Sequence, residues 1–173
     1  MNIIIYPGAK SLIVGLCLLL LSARGVSGEI PDITIPSLGS LVDDLKLSAS
    51  SRRPLLLIFS AEHCYFCERL KENIIKPMLR SGDYDEKVII RVVEIDNHDR
   101  IINQQGKPMD VSALASLYDI RVTPTVLLIG PDGSEIAERQ LGINSEDYYG
   151  VYLDNAIAEG IRKIEQSREQ MAR

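Results

Sequence analysis

Residues 54–70 read PLLLIFSAEHCYFCERL, an apolar run from Leu55 to Phe59 that gives way within a few positions to two thiols, Cys64 and Cys67. A continuous apolar run of strand length, opened by Pro54, is the pattern of a strand buried on both faces in a mostly parallel sheet. After Cys67 the apolar residues Leu70, Ile74, Ile75, Met78 and Leu79 recur at helical spacing, while Glu68, Arg69, Lys71, Glu72 and Lys76 take the other face. The cysteines therefore stand where a strand turns into a helix. Pro77 is expected to kink or shorten the end of that helix, and Ser81-Gly82-Asp83 to close it.

Outward from this point, Lys87 to Ile95 (KVIIRVVEI) is a second β-branched strand that ends at Asp96. Strand, helix and strand over this distance predict a right-handed crossover between two parallel strands. The polar stretch Asn97 to Asp110, with Gly106 and Pro108, reads as a loop, followed by a short helix through Val111, Leu114, Ala115 and Leu117. Thr125 to Ile129 is a strand, Pro131-Asp132-Gly133 a turn, and Ser134 to Gln140 the hairpin partner. From Ser145 onward Tyr149, Tyr152, Leu153, Ala156, Ile157, Ile161 and Ile164 mark a long helix, expected to fray over 166–173. On the other side, residues 29–53 comprise an extended lead-in (EIPDITIP, 29–36) and a short amphipathic helix over Ser37 to Ser50, ahead of a main domain at 54–165.

Residues 1–28 have the build of a cleaved export signal: Lys10 precedes the apolar run LIVGLCLLLL, and Val26-Ser27-Gly28 supplies small residues for cleavage. That run is shorter than the roughly 20 apolar residues a membrane-spanning helix needs, although an uncleaved inner-membrane anchor is the alternative. Gly15-Leu16 before Cys17 lacks the small residue that a lipoprotein site places next to its cysteine. The whole chain of 173 residues carries a formal charge of −5, and loss of Lys10 and Arg24 with the signal makes it more acidic. Nucleic acid is a poor partner for such a surface. Cleavage also removes Cys17, leaving Cys64 and Cys67 as the only thiols of a chain sent to an oxidising compartment, the periplasm or the exterior.

Two such thiols can form a staple, a metal site or a redox centre. As a staple the pair does little, because a bridge over two intervening residues removes little unfolded-chain entropy. As metal-binding or metal-delivery ligands they lack partners: only His63 and His98 are on hand, and His63 is adjacent to Cys64. A redox centre needs a stabilised thiolate, and the start of a helix offers unpaired N–H groups and the positive end of the dipole at Cys64. Cys67, nearly one turn on, can displace a mixed disulfide formed at Cys64. Among the neighbours, His63 favours the thiolate when protonated and Glu62 and Glu68 oppose it.

Cys64-Tyr65-Phe66-Cys67 after LLLIFSAEH, Asp96 at the end of the next strand, and Tyr118-Asp119-Ile120-Arg121-Val122-Thr123-Pro124-Thr125 before VLLIGPDG together resemble the thioredoxin superfamily, in its exported thiol–disulfide oxidoreductase branch. The resemblance covers roughly Pro54 to Ile164. It implies an α/β thioredoxin fold, a central mixed sheet flanked by helices, and a catalytic pair in which Cys64 attacks and Cys67 resolves. It further implies a cis bond at Thr123-Pro124, with Thr123 and Pro124 free to bind an extended substrate segment. Tyr65 and Phe66 either join that docking surface or tuck against the fold. No cofactor or metal is implied; the partners are protein disulfides in the bacterial cell envelope, with a membrane thiol–disulfide relay as a candidate electron source, and the chain is expected to act as a monomer.

The departures are specific. Thioredoxin has a buried strand carboxylate six positions before its first cysteine, where this chain has Ile58. It has Gly-Pro where Tyr65-Phe66 stands and tryptophan where His63 stands, and its loop corresponding to Asn97–Asp110 is shorter, so that segment is more similar to periplasmic relatives.

Overall fold

The computed structural model describes residues 32–143 and 146–172; the signal segment, Cys17 and the lead-in before Asp32 lie outside the described residues. In chain order the elements are α1 (Leu41–Ser51), β1 (Leu55–Ser60), α2 (Tyr65–Leu70), a π-helical turn (Lys71–Ile75), α3 (Lys76–Ser81), β2 (Ile89–Glu94), β3 (Arg100–Ile102), β4 (Pro108–Asp110), α4 (Val111–Leu117), β5 (Thr125–Ile129), β6 (Gln140–Leu141) and α5 (Glu146–Met171).

The apolar run of β1 has no face to give to water, and every residue in it is buried. It lies inside a mixed sheet of order β2-β1-β5-β6, parallel to β2 and antiparallel to β5, as an α/β thioredoxin fold requires. Alternation then divides the strand between two cores. Leu56 and Ile58 join Leu70, Ile74, Met78, Leu153 and Ile157 beneath α2, α3 and α5. Leu55, Leu57 and Phe59 join Leu41, Leu45, Val111 and Leu114 beneath α1 and α4. The helical stripes predicted a few more core residues than the fold uses: Leu47, Leu117 and Tyr152 face outward. Among the described residues no helix is long and apolar enough to cross a membrane.

Local chemistry shifts several expected boundaries. The first helix starts at Leu41 rather than Ser37. Leu38 N–H donates to Val92 O and Val92 N–H to Pro36 O, both at 2.9 Å, so the residues before Ser40 extend along the free edge of β2. Ser40 then caps the helix, its Oγ accepting Asp43 N–H at 3.3 Å. From Ile33 onward the chain ahead of α1, and α1 itself, thus belong to the same folded unit as the rest. The helix that carries Pro77 closes at Ser81, with Gly82 as its cap, where it was expected to. Pro77 has no N–H to donate to the preceding turn, and the π-helical turn immediately before α3 resets the ladder so that α3 continues to Ser81.

The expected loop Asn97–Asp110 contains a small hairpin, β3 against β4. Its tip is closed by Asn103, whose Oδ1 accepts the N–H groups of Gln105 and Lys107, with Gly106 at φ +73°. Three-residue strands with a single buried residue, Ile101, are too short to show a period. The hairpin partner expected over Ser134–Gln140 is broken. Ile136 N–H bonds Leu128 O at 2.9 Å, the chain leaves the ladder, and pairing resumes only at Gln140–Leu141. Between them Arg139 reaches across to donate to Tyr118 O at 3.0 Å. The tail expected to fray is helical through Met171.

Two contacts make the packing testable. Arg91 on β2 donates to both carboxylate oxygens of Asp44 on α1, at 2.9 and 2.7 Å. In Asp44→Ala the guanidinium is left without its partner in a site where its side chain is only 22% exposed. We expect a loss of about 2–3 kcal/mol in urea unfolding, below the figure for a fully buried pair because Arg91 retains some water. Tyr84 Oη donates to Asp154 Oδ1 at 2.7 Å, and this bond, aided by burial, pushes the phenol up to about 12 from 10.0. A raised folded-state value means that its stabilisation is whole below pH 10 and is lost as pH rises toward 12. Tyr84→Phe should therefore flatten the alkaline decline in stability.

Candidate active site

The end of β1 is anchored before the cysteines begin. Ile95 N–H donates to Ser60 O at 2.9 Å, and the Asp96 carboxylate accepts Glu62 N–H at 3.0 and 2.8 Å. His63 then takes a left-handed backbone, φ +59°, which turns the chain into α2. Its imidazole lies in solvent, 3.6 Å from Glu62 Oε1. Cys64 is the N-cap of α2, and its Sγ accepts Cys67 N–H at 3.2 Å. A sulfur in this position receives a backbone N–H and the positive end of the helix, a setting that favours a thiolate.

Cys64 and Cys67 are joined as a disulfide with Cα atoms 5.2 Å apart. Cys64 is half-buried and Cys67 fully buried. Facing them from the start of β5, the Thr123–Pro124 bond is cis. Thr123 Oγ1 lies 3.6 Å from Cys64 Sγ, and Pro124 is buried with its carbonyl accepting Gly142 N–H at 2.8 Å. Tyr65 and Phe66 do not tuck against the fold. Their rings meet edge to face at 5.4 Å between centroids and stand 65% and 53% exposed, with Arg69 over the Tyr65 ring at 5.6 Å.

Structure adds residues that sequence reading did not single out. Val122 and Leu141 are exposed apolar side chains; Val122 immediately precedes Thr123, and Leu141 pairs with Thr125 across the sheet. Both are ordinary strand-type residues, and only their neighbours in space distinguish them. Beside the disulfide loop is a polar cleft of about 260 Å³, bordered by Glu62, Glu68, Lys71, Glu94 and Asp96. Within it Lys71 Nζ bridges Glu68 Oε1 at 2.7 Å and Glu94 Oε1 at 3.0 Å. Burial presses the Lys71 ammonium down, but the hydrogen bonds it donates to Glu68 and Glu94 outweigh that and hold it above lysine's usual range. Ile58 is fully buried beneath α2, and the Ser60 hydroxyl, also buried, has no hydrogen-bond partner. Among the described residues no group of three or more His, Cys, Asp and Glu is placed to hold a metal ion.

The model of the family described as Thioredoxin-like domain matches residues 41–157. A solved structure titled DsbH oxidoreductase overlays with a TM-score of 0.56 at 17% identity, covering 76% of this chain and 95% of its own. The thioredoxin of Fasciola hepatica overlays with a TM-score of 0.48 at 22% identity, covering 73% of this chain and 99% of its own. No curated protein matches the chain. Since the family match runs from the first helix well into the last, with the CxxC disulfide inside it, the chain belongs to the thioredoxin-like domain family and is a thiol–disulfide oxidoreductase.

Proposed function

We propose that the chain is an exported oxidoreductase that reduces or exchanges the disulfides of other proteins in the bacterial cell envelope. The observation that carries this is the asymmetry of the pair: the Cys64 sulfur is half-buried, holds the Cys67 N–H and faces Thr123, while Cys67 is fully covered. In the reduced protein the Cys64 thiolate attacks a substrate disulfide. A bond forms between Cys64 Sγ and one substrate sulfur, and the other leaves as a thiolate that takes up a proton. Cys67 then gives its proton to solvent and attacks Cys64 Sγ, which re-forms the internal disulfide and releases the second substrate thiolate. Two electrons pass to the substrate, and the reverse steps oxidise a dithiol.

Thr123 and Pro124 serve as the edge on which an extended substrate segment lies, the proline offering no N–H that competes for the sulfur. The exposed side chains of Tyr65 and Phe66, and of Val122 and Leu141 beside Thr123 and Thr125, supply apolar ground for the residues next to the substrate cysteine. Export is supported by Lys10, the apolar run after it and Val26-Ser27-Gly28, and a membrane thiol–disulfide relay would return electrons to the pair.

Cys64→Ser should abolish reduction of insulin disulfides, whereas Cys67→Ser should accumulate a mixed disulfide visible as an adduct by mass spectrometry; an unreactive Cys64 in a folded protein contradicts the mechanism. Replacing Tyr65 and Phe66 together by alanine should raise KM for a protein disulfide about threefold to tenfold with little change in kcat, since truncating exposed anchors removes binding and not chemistry. Expressed in a bacterial host, the protein recovered from the periplasm should begin near Glu29 by intact mass; retention of residues 1–28 in the membrane fraction would instead indicate the anchor.

A further inference from the structure

The sheet face under α2 is apolar at Leu56, Ile58, Ile90, Val92, Val126 and Leu128. It changes character only at its end. Ser60 and Glu94, the last residues of β1 and β2, are register partners, and the alternation of each strand brings them to the α2 side. Glu94 there bonds Lys71, whose side chain is 16% exposed. Lys71 N–H donates to Cys67 O, and side chains four residues apart on a helix share a face, so Lys71 stands one turn from the buried sulfur. The first turn of α2 adds Glu68 to the same ammonium.

We propose that the charge chain Glu68–Lys71–Glu94 sets the reduction potential of the Cys64–Cys67 pair, Lys71 favouring the thiolates and the carboxylates opposing it. This inference rests on the redox function proposed above. Reduction adds two electrons to the S–S bond and leaves sulfurs that carry negative charge until protons reach them. A cation beside them stabilises the reduced form and raises the potential; an anion lowers it. Lys71 and Glu94, 16% and 29% exposed, are partly withdrawn from water and count for more than charges on the open surface, whereas Glu68, 61% exposed, contributes least. Of the other charged groups around the loop, Arg69 lies over the Tyr65 ring and donates to its hydroxyl. Asp96 is committed to the Glu62 N–H, and Glu62 and His63 lie in solvent, where salt screens them. Lys71 acts on the sulfurs through its charge, as a positioning group and not as an attacking one.

The test compares the full chain with Lys71→Met, Lys71→Arg and Glu94→Gln, reading the glutathione redox midpoint at pH 7 and the pH profile of Cys64 alkylation in the reduced protein. Lys71→Met leaves two unneutralised carboxylates, so the midpoint should become more reducing and alkylation at pH 6 should slow about threefold to tenfold. Glu94→Gln should move both readouts the other way, and Lys71→Arg should return them close to wild type. A merely structural network would lose stability in both variants without opposite shifts. Glu94→Gln preserves the shape of the side chain and keeps the test decisive if Lys71→Met does not fold. Shifts in the same direction, or none in variants that still exchange disulfides, overturn the inference alone; a wild-type protein that exchanges no disulfide overturns the proposed function and this inference with it.

Discussion

The antiparallel register of β1 against β5, with Phe59 opposite Thr125 and Ile58 opposite Val126, is the constraint on which the rest depends. Because the strands run in opposite directions, the end of β1 and the start of β5 meet at one end of the sheet. The chain leaving β1 carries Cys64 and Cys67 within a few residues; the chain entering β5 has just passed Thr123 and Pro124. A slip of one residue would move every side chain to the other face. That slip is opposed by two apolar cores at once, since β1 is buried on both sides and has no polar face to turn toward water. Hydrophobic burial therefore fixes the position of the chemistry although no residue of β1 takes part in it.

On this frame the disulfide turn is held by polar contacts of short range. Asp96 gathers the Glu62 N–H, His63 accepts a left-handed backbone, and the Cys64 sulfur takes over the capping duty that a serine or aspartate performs elsewhere. Opening the disulfide leaves that sulfur where the unpaired N–H groups of the helix still point, so the structure built around the oxidised pair also suits a thiolate. Ile58 alters the balance beneath it. With no carboxylate in the strand core, the partly buried charges beside the pair are Glu94 at the end of β2 and Lys71 just beyond α2, with Glu68 from the first turn of α2 bonded to the same ammonium.

How much of this was legible in the sequence follows from the length of each signal. β1, β2 and β5 were plain because their apolar runs exceed what a loop tolerates, and the cysteine spacing with Thr123-Pro124 identified the ends that converge. β3 and β4 were not, because Ile101 is one buried residue between polar neighbours and Asn103 builds its turn through side-chain bonds that leave no periodic trace. The break after Ile136 depends on Arg139 finding Tyr118, a contact between distant residues. The same holds at the site. Cys64 and Cys67 carried their own signature, but Lys71, Glu94 and Glu68 read as a solvated helix face and a strand end until the fold brought them together. Tyr65 and Phe66 could have lain inward or outward, and the pitch of α2 turns both outward.

The central claim is that Cys64 and Cys67 work as one two-electron centre that passes its electrons to protein disulfides. Equilibrating the wild-type chain across a series of glutathione redox buffers, and counting free thiols at each, tests it most directly. A single transition whose steepness corresponds to two electrons, followed by transfer from the reduced form to insulin, is the expected result. A disulfide that stays closed through the whole range, or a dithiol that opens but gives nothing to a protein disulfide, would contradict the account.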